Sequence, residues 1–153
     1  MAHVVYVDLS AKVEHWQTDS AVAVADGFSV TYLIPAPVKQ QARRLLLDLH
    51  GRKSVIYRAL ALFVYVGVRQ DLGRIRQLVI DQDYTGPEVE GTIKNLLLHL
   101  VRVDRPEVSS GFVQMANVKG TRVDRLARQV FAREVPPTQV VTWSEVESII
   151  RRK

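Results

Sequence analysis

The chain has 153 residues, enough for one domain that buries roughly 70% of its unfolded surface. Its 21 lysines and arginines outnumber 16 acids, a formal charge of +5 that favours anionic partners, although dispersed cations of this kind also clothe ordinary solvated helices. With no cysteine, disulfides, thiolate catalysis and cysteine-bound zinc are excluded.

Residues 3–14 alternate with the period of a strand, Val5, Val7, Leu9, Ala11 and Val13 on one face and Tyr6, Asp8, Ser10 and Lys12 on the other. Asp8 is anomalous there, because a carboxylate is costly to dehydrate and aspartate is depleted from strands. Strands are expected at 20–25 and 28–34, joined across Asp26-Gly27, a favoured pair for a tight hairpin turn. Pro35-Ala-Pro37 then ends an antiparallel meander. Ala42, Leu45, Leu46 and Leu49 give helical spacing over 38–50, with Gly51 as C-terminal cap. Ser54 opens a helix so apolar, through Val55, Ile56, Ala59, Leu60, Phe63 and Val66, that protein must cover most of it.

A short buried strand follows at Ile75–Asp81, and Thr85-Gly-Pro-Glu88 reads as a capping box for a helix carrying Ile93, Leu97 and Val101. Another strand is expected over 111–118. Thr121 then caps a helix with Val123, Ala127 and Val130 inward, ended by Pro136-Pro137. Thr142-Trp-Ser-Glu145 is a second capping box, for a last short helix packing Trp143, Val146 and Ile149. One α/β domain is expected over 3–153, with 134–153 a tail packed on it. The apolar stretch near 54–68 is shorter than the ~20 residues that span a bilayer, and Met1–Asp8 lacks a signal-peptide pattern, so a cytoplasmic protein without a membrane partner is expected.

Gly51, Gly67 and Gly73 form neither a Walker nor a dinucleotide pattern, Ser10 lacks a nucleophile elbow, His15 and His99 have no partner at metal-ligand spacing, and His3 and His50 sit at element ends. Phosphodiester chemistry, nucleic-acid binding and protein interaction remain. Trp16 and Tyr84 are open to base stacking or plain packing.

Three strands in a meander, then helix, strand, helix, strand, helix, with an acid in the first strand, resembles the ribonuclease H-like superfamily. Tyr6-Val-Asp-Leu-Ser10 is similar to that family's first-strand segment, and Ser20–Ala25 to its small-residue second strand. Val79-Ile-Asp-Gln-Asp-Tyr84 resembles its fourth strand, and Val118-Lys-Gly-Thr-Arg-Val-Asp-Arg-Leu-Ala127 its C-terminal helix start. The resemblance spans about residues 3–132 and implies a mixed five-stranded sheet that brings Asp8, Asp81 and Asp124 together as catalytic ligands of Mg²⁺ or Mn²⁺. The family's acid on the first major helix has no counterpart in Lys53–Arg58, and the helix at 38–50 is an addition.

Asp83 stands nearest as a replacement ligand, with Glu88 and Glu90 as alternatives, and Lys119 and Arg122 would contact phosphate. The resemblance thus implies a metal-dependent nuclease acting on RNA, DNA or a hybrid. A catalytically degenerate nucleic-acid binder and an assembly domain that docks a partner through its tail are the alternatives. Each acid also has a structural reading: Asp8 facing water from an edge strand, Asp81 closing an Asx turn, and Asp124 completing a capping box with Thr121.

Overall fold

The computed structural model describes residues 2–82 and 87–152. Among them the chain forms strands β1 (His3–Ser10), β2 (Ser20–Ala25), β3 (Val30–Ile34), β4 (Ile75–Asp81), β5 (Val113–Ala116) and β6 (Gln139–Val140). The helices are α1 (Ala36–His50), α2 (Val55–Val68), α3 (Pro87–Asp104), α4 (Arg122–Phe131) and α5 (Trp143–Arg151). The strands make one mixed sheet in the order β5-β4-β1-β2-β3-β6. β1, β2 and β3 pair antiparallel, whereas β4 pairs parallel with β1 and β5 parallel with β4.

This sheet has six strands, not the expected five. The sixth comes from the tail: β6 lies parallel to β3, pairing Tyr32 with Gln139 and Leu33 with Val140. A clasp sets this register, in which Thr31 N–H donates to Thr138 Oγ1 at 3.1 Å and Thr138 N–H donates to Thr31 Oγ1 at 2.9 Å. A two-residue strand carries no readable alternation, so only its partner reveals it.

Side-chain alternation divides the sheet into two layers. Val5, Val7, Val22, Val24, Tyr32, Leu78 and Ile80 enter the main core, under α1, α2, α3 and α5. The opposite face is covered by α4, where Ala23, Ala25, Val118, Val123 and Ala127 form a smaller cluster. Alanines along β2 leave the room that lets this helix lie close to the sheet. In the tail, Val146 and Ile149 are buried within the chain itself, and the Thr142–Glu145 capping box forms. At the end of α5, Arg152 donates to the Tyr65 hydroxyl at 2.8 Å and to the Leu100 carbonyl at 3.1 Å.

Several boundaries differ from the sequence pattern. β1 stops at Ser10, because Ala11 adopts φ +69° and the chain then wraps around the Lys39 ammonium. α1 starts at Ala36, whose N–H donates to Asp19 Oδ1 at 2.7 Å, and Pro37 fits the first turn because its missing N–H is not needed there. Asp26 and Gly27 both have positive φ, but Val24 pairs with Val30, so the β2–β3 connection is longer than a two-residue turn. β5 is shorter than expected, since residues 110–112 form a single 3₁₀ turn. α4 ends at Phe131, ahead of the prolines, where Arg133 takes φ +63°. The Thr85 capping box lies outside the described residues. No helix among them is long and apolar enough to cross a membrane.

Candidate carboxylate site and its basic border

Asp8 follows Val7 on β1, and Val7 pairs with Ile80 on the parallel β4, so Asp8 and Asp81 occupy neighbouring positions on strands about 4.8 Å apart. Both follow residues whose side chains enter the main core, and both therefore face α4. This is the C-terminal end of two parallel strands, the edge at which open α/β sheets carry their ligands. Asp124, in the first turn of α4, reaches Asp8 from the other side through a hydrogen bond between the two carboxyls. All three acids are buried, with exposures of 3% for Asp8, 5% for Asp81 and 7% for Asp124. Asp8 is thus not the water-facing edge residue that its strand pattern also allowed.

Two of these carboxyls also shape the backbone between β5 and α4. Asp81 Oδ1 accepts the Val118 N–H at 3.0 Å, and Asp124 Oδ2 accepts the Gly120 N–H at 2.9 Å. Asp124 therefore caps its helix start one residue earlier than a Thr121 capping box requires. The Thr121 hydroxyl donates instead to the Val118 carbonyl. Arg128 completes the surroundings of Asp124 with an ion pair at 3.3 Å. Among the described residues, no three histidine or acidic side chains form a ready metal-binding group. Asp83 and Tyr84 lie outside the described residues, and Glu90 is occupied as acceptor of the Gln82 side-chain amide at 2.9 Å.

Burial alone would raise the pKa of Asp124, but the Gly120 N–H, the Asp8 hydrogen bond and the Arg128 charge outweigh it and hold the carboxyl below the usual aspartate range. A depressed folded pKa contributes stability that is complete above the unfolded aspartate pKa of about 3.9 and is lost as pH falls through the folded value. Acid titration of unfolding should therefore be shallower for Asp124→Asn than for wild type below about pH 4. Parallel acid limbs in the two proteins would contradict this assignment.

Lys119 and Arg122 border the acids and are exposed; the Arg122 guanidinium donates to Ser29 Oγ at 3.2 Å. The grouping of Arg122 with Arg125 and Arg128 was legible in the sequence as either a phosphate-contacting surface or a solvated face. The exposed side of α4 continues with Arg125 and Arg128, making one basic stripe that starts at the carboxylates. Its signal was present in the three-residue spacing, but that spacing is equally that of any solvated helix. Trp16 serves packing, against the core and under the Arg43 guanidinium at 5.5 Å from the ring centre. Comparisons of the chain with protein-family models, with curated proteins and with solved structures found no match.

Proposed function

We propose that this chain is a ribonuclease H-like protein of the cytoplasm that cleaves nucleic-acid phosphodiesters, with Asp8, Asp81 and Asp124 as the acids that hold Mg²⁺ or Mn²⁺. The observation that carries the reading is that three buried aspartates, from β1, β4 and α4, lie toward one end of the sheet beside exposed arginines, with Asp8 in contact with Asp124 and next to Asp81 across the parallel strands. An α/β architecture whose antiparallel meander is followed by alternating helices and strands supports the reading, and the sixth strand β6 departs from the five that the resemblance implies.

The donor set suits a hard cation, since all three groups are carboxylates. Each ionised carboxylate offers about four lone-pair directions, and the hydrogen bonds of Asp81 and Asp124 leave some of them for a ligand. When bound, a divalent cation supplies an activated water and charge stabilisation at the phosphoryl group. Asp8 and Asp81 present oxygens from rigid strands, Asp124 joins them from the helix, and Lys119 and Arg122 draw the phosphate toward them.

Asp8→Asn keeps the shape of the side chain, and its amide can donate to Asp124, so it removes a carboxylate ligand while preserving the packing. Calorimetric titration of Mn²⁺ should give saturable binding to wild type and none to Asp8→Asn. Cleavage of RNA–DNA hybrids, junctions or single strands should fall by at least ~10²-fold in Asp8→Asn and Asp81→Asn, the scale of losing one charge-positioning group. Undiminished cleavage in either variant would refute the assignment. A second reading, binding without cleavage, is favoured by one observation: α2 carries no acid along its whole length. It would give salt-sensitive binding and no cleavage with either metal.

A further inference from the structure

A cavity of ≈ 510 Å³ opens at the C-terminal end of α4, at the far end of the basic stripe from the carboxylates. Phe131 and Pro137 are among its apolar walls, and Thr18, Asp19 and Arg133 are its polar members. Phe131 is 39% exposed, whereas neighbouring Val130 is buried. Arg133 stands where a helix end favours glycine. Its φ of +63° lies in the left-handed region, and its N–H donates to the Val130 carbonyl at 3.1 Å in a helix-ending turn. An arginine there strains the backbone while displaying a guanidinium at the cavity.

We propose that this cavity receives an unpaired base of a single-stranded nucleic acid, whose backbone runs along Arg125 and Arg128 toward the carboxylates. The inference rests on the proposed function and names its substrate class. Three features select a nucleotide over a simple anion or an apolar ligand. An exposed aromatic face and proline give a stacking surface that any base fits. Arg133 offers a phosphate partner. Asp19, one oxygen of which caps α1 through Ala36, keeps an acceptor for a base N–H. A paired base cannot enter, since its face is stacked and its edge is engaged, so an unpaired strand is preferred over duplex. From Arg122 to Phe131 the helix runs about 13 Å at 1.5 Å per residue, which places the base pocket a few nucleotides from the reacting phosphate.

The test measures fluorescence anisotropy of a labelled oligothymidine of about 12 nucleotides and of a blunt duplex of the same length, with EDTA present to prevent cleavage. Wild type should bind the single strand more tightly. Phe131→Ala should weaken it about 10-fold, within the range for losing one base–aromatic stack, and leave duplex affinity unchanged. Arg133→Gly should weaken single-strand binding while unfolding at no lower a temperature than wild type, because glycine suits the left-handed turn. Arg125→Ala should weaken both probes and flatten the salt dependence by about one unit of slope. Unchanged single-strand affinity in Phe131→Ala, or equal losses on both probes, would overturn the base pocket while leaving the proposed function intact. Failure of both probes to bind would also overturn the base pocket; the proposed function stands or falls separately, on Mn²⁺ binding and cleavage in wild type against Asp8→Asn.

Discussion

Gly67→Ala will destabilise the fold by about 3 kcal/mol, although the same change at a solvent-facing helix position stabilises by up to about 1 kcal/mol. An added Cβ would lie 1.8 Å from Tyr32 Cζ and 2.2 Å from its hydroxyl oxygen, far inside contact distance. Tyr32 cannot retreat: it is fully buried, and its hydroxyl donates to the Phe63 carbonyl at 2.9 Å. Burial raises the phenol pKa, so the group stays a neutral donor at any ordinary pH. Overpacking costs about 1–3 kcal/mol, and a displaced, unsatisfied buried hydroxyl costs a similar amount. Urea unfolding should show a lower midpoint at an unchanged slope. Combining Gly67→Ala with Tyr32→Leu should cost less than the sum of the two, since the clash exists only when both bulky partners are present. A single variant as stable as wild type would mean that Tyr32 does not occupy this notch.

Lys39→Met should cost about 3 kcal/mol and loosen the loop between β1 and β2. The Lys39 side chain is fully buried at the start of α1, and its ammonium donates to the carbonyls of His15 and Thr18 and to Ser20 Oγ, each at 2.8 Å. Methionine matches the length of the chain but supplies no donor, so the loop carbonyls must find water or remain unpaired. Burial pulls the ammonium pKa down to about 8, against the raising effect of Asp19 and Glu14. Because the unfolded lysine titrates near 10.4, folding releases a proton between the two values. The contribution of Lys39 titration to stability is therefore absent below pH 8 and grows as pH rises above it. The stability gap between wild type and Lys39→Met should widen from pH 8 to 10. Hydrogen exchange should quicken across residues 11–19 in the variant; unchanged protection there would remove the ammonium from its role as the loop's anchor.

Local pattern accounts for much of the architecture. Alternation in Val5–Leu9, the small residues of β2, the apolar length of α2 and the strand at Ile75–Asp81 each require a particular element, and the elements occur where the patterns place them. Asp8 was legible as an anomaly because an acid interrupting an apolar strand demands compensation nearby. The Thr142–Glu145 box was legible because its two hydrogen bonds join residues three apart.

Contacts between distant segments were not legible. Nothing local to Gln139-Val140 says strand; pairing with β3 and the Thr31–Thr138 clasp make it one. Nothing at Gly67 announces that Tyr32 fills the space above it, and nothing at Lys39 announces a ring of carbonyls from another loop. The same division applies to the candidate site. Residue type and spacing identified Asp8, Asp81 and Asp124 one at a time, and family resemblance grouped them. Parallel pairing of β1 with β4, and α4 lying on the alanines of β2, put the three acids at one end of the sheet. Secondary structure follows from interactions a few residues apart, which the sequence alone determines. The contact of Asp8 with Asp124, the buried ammonium and the cavity beside Phe131 depend on long-range burial, which only the tertiary structure decided.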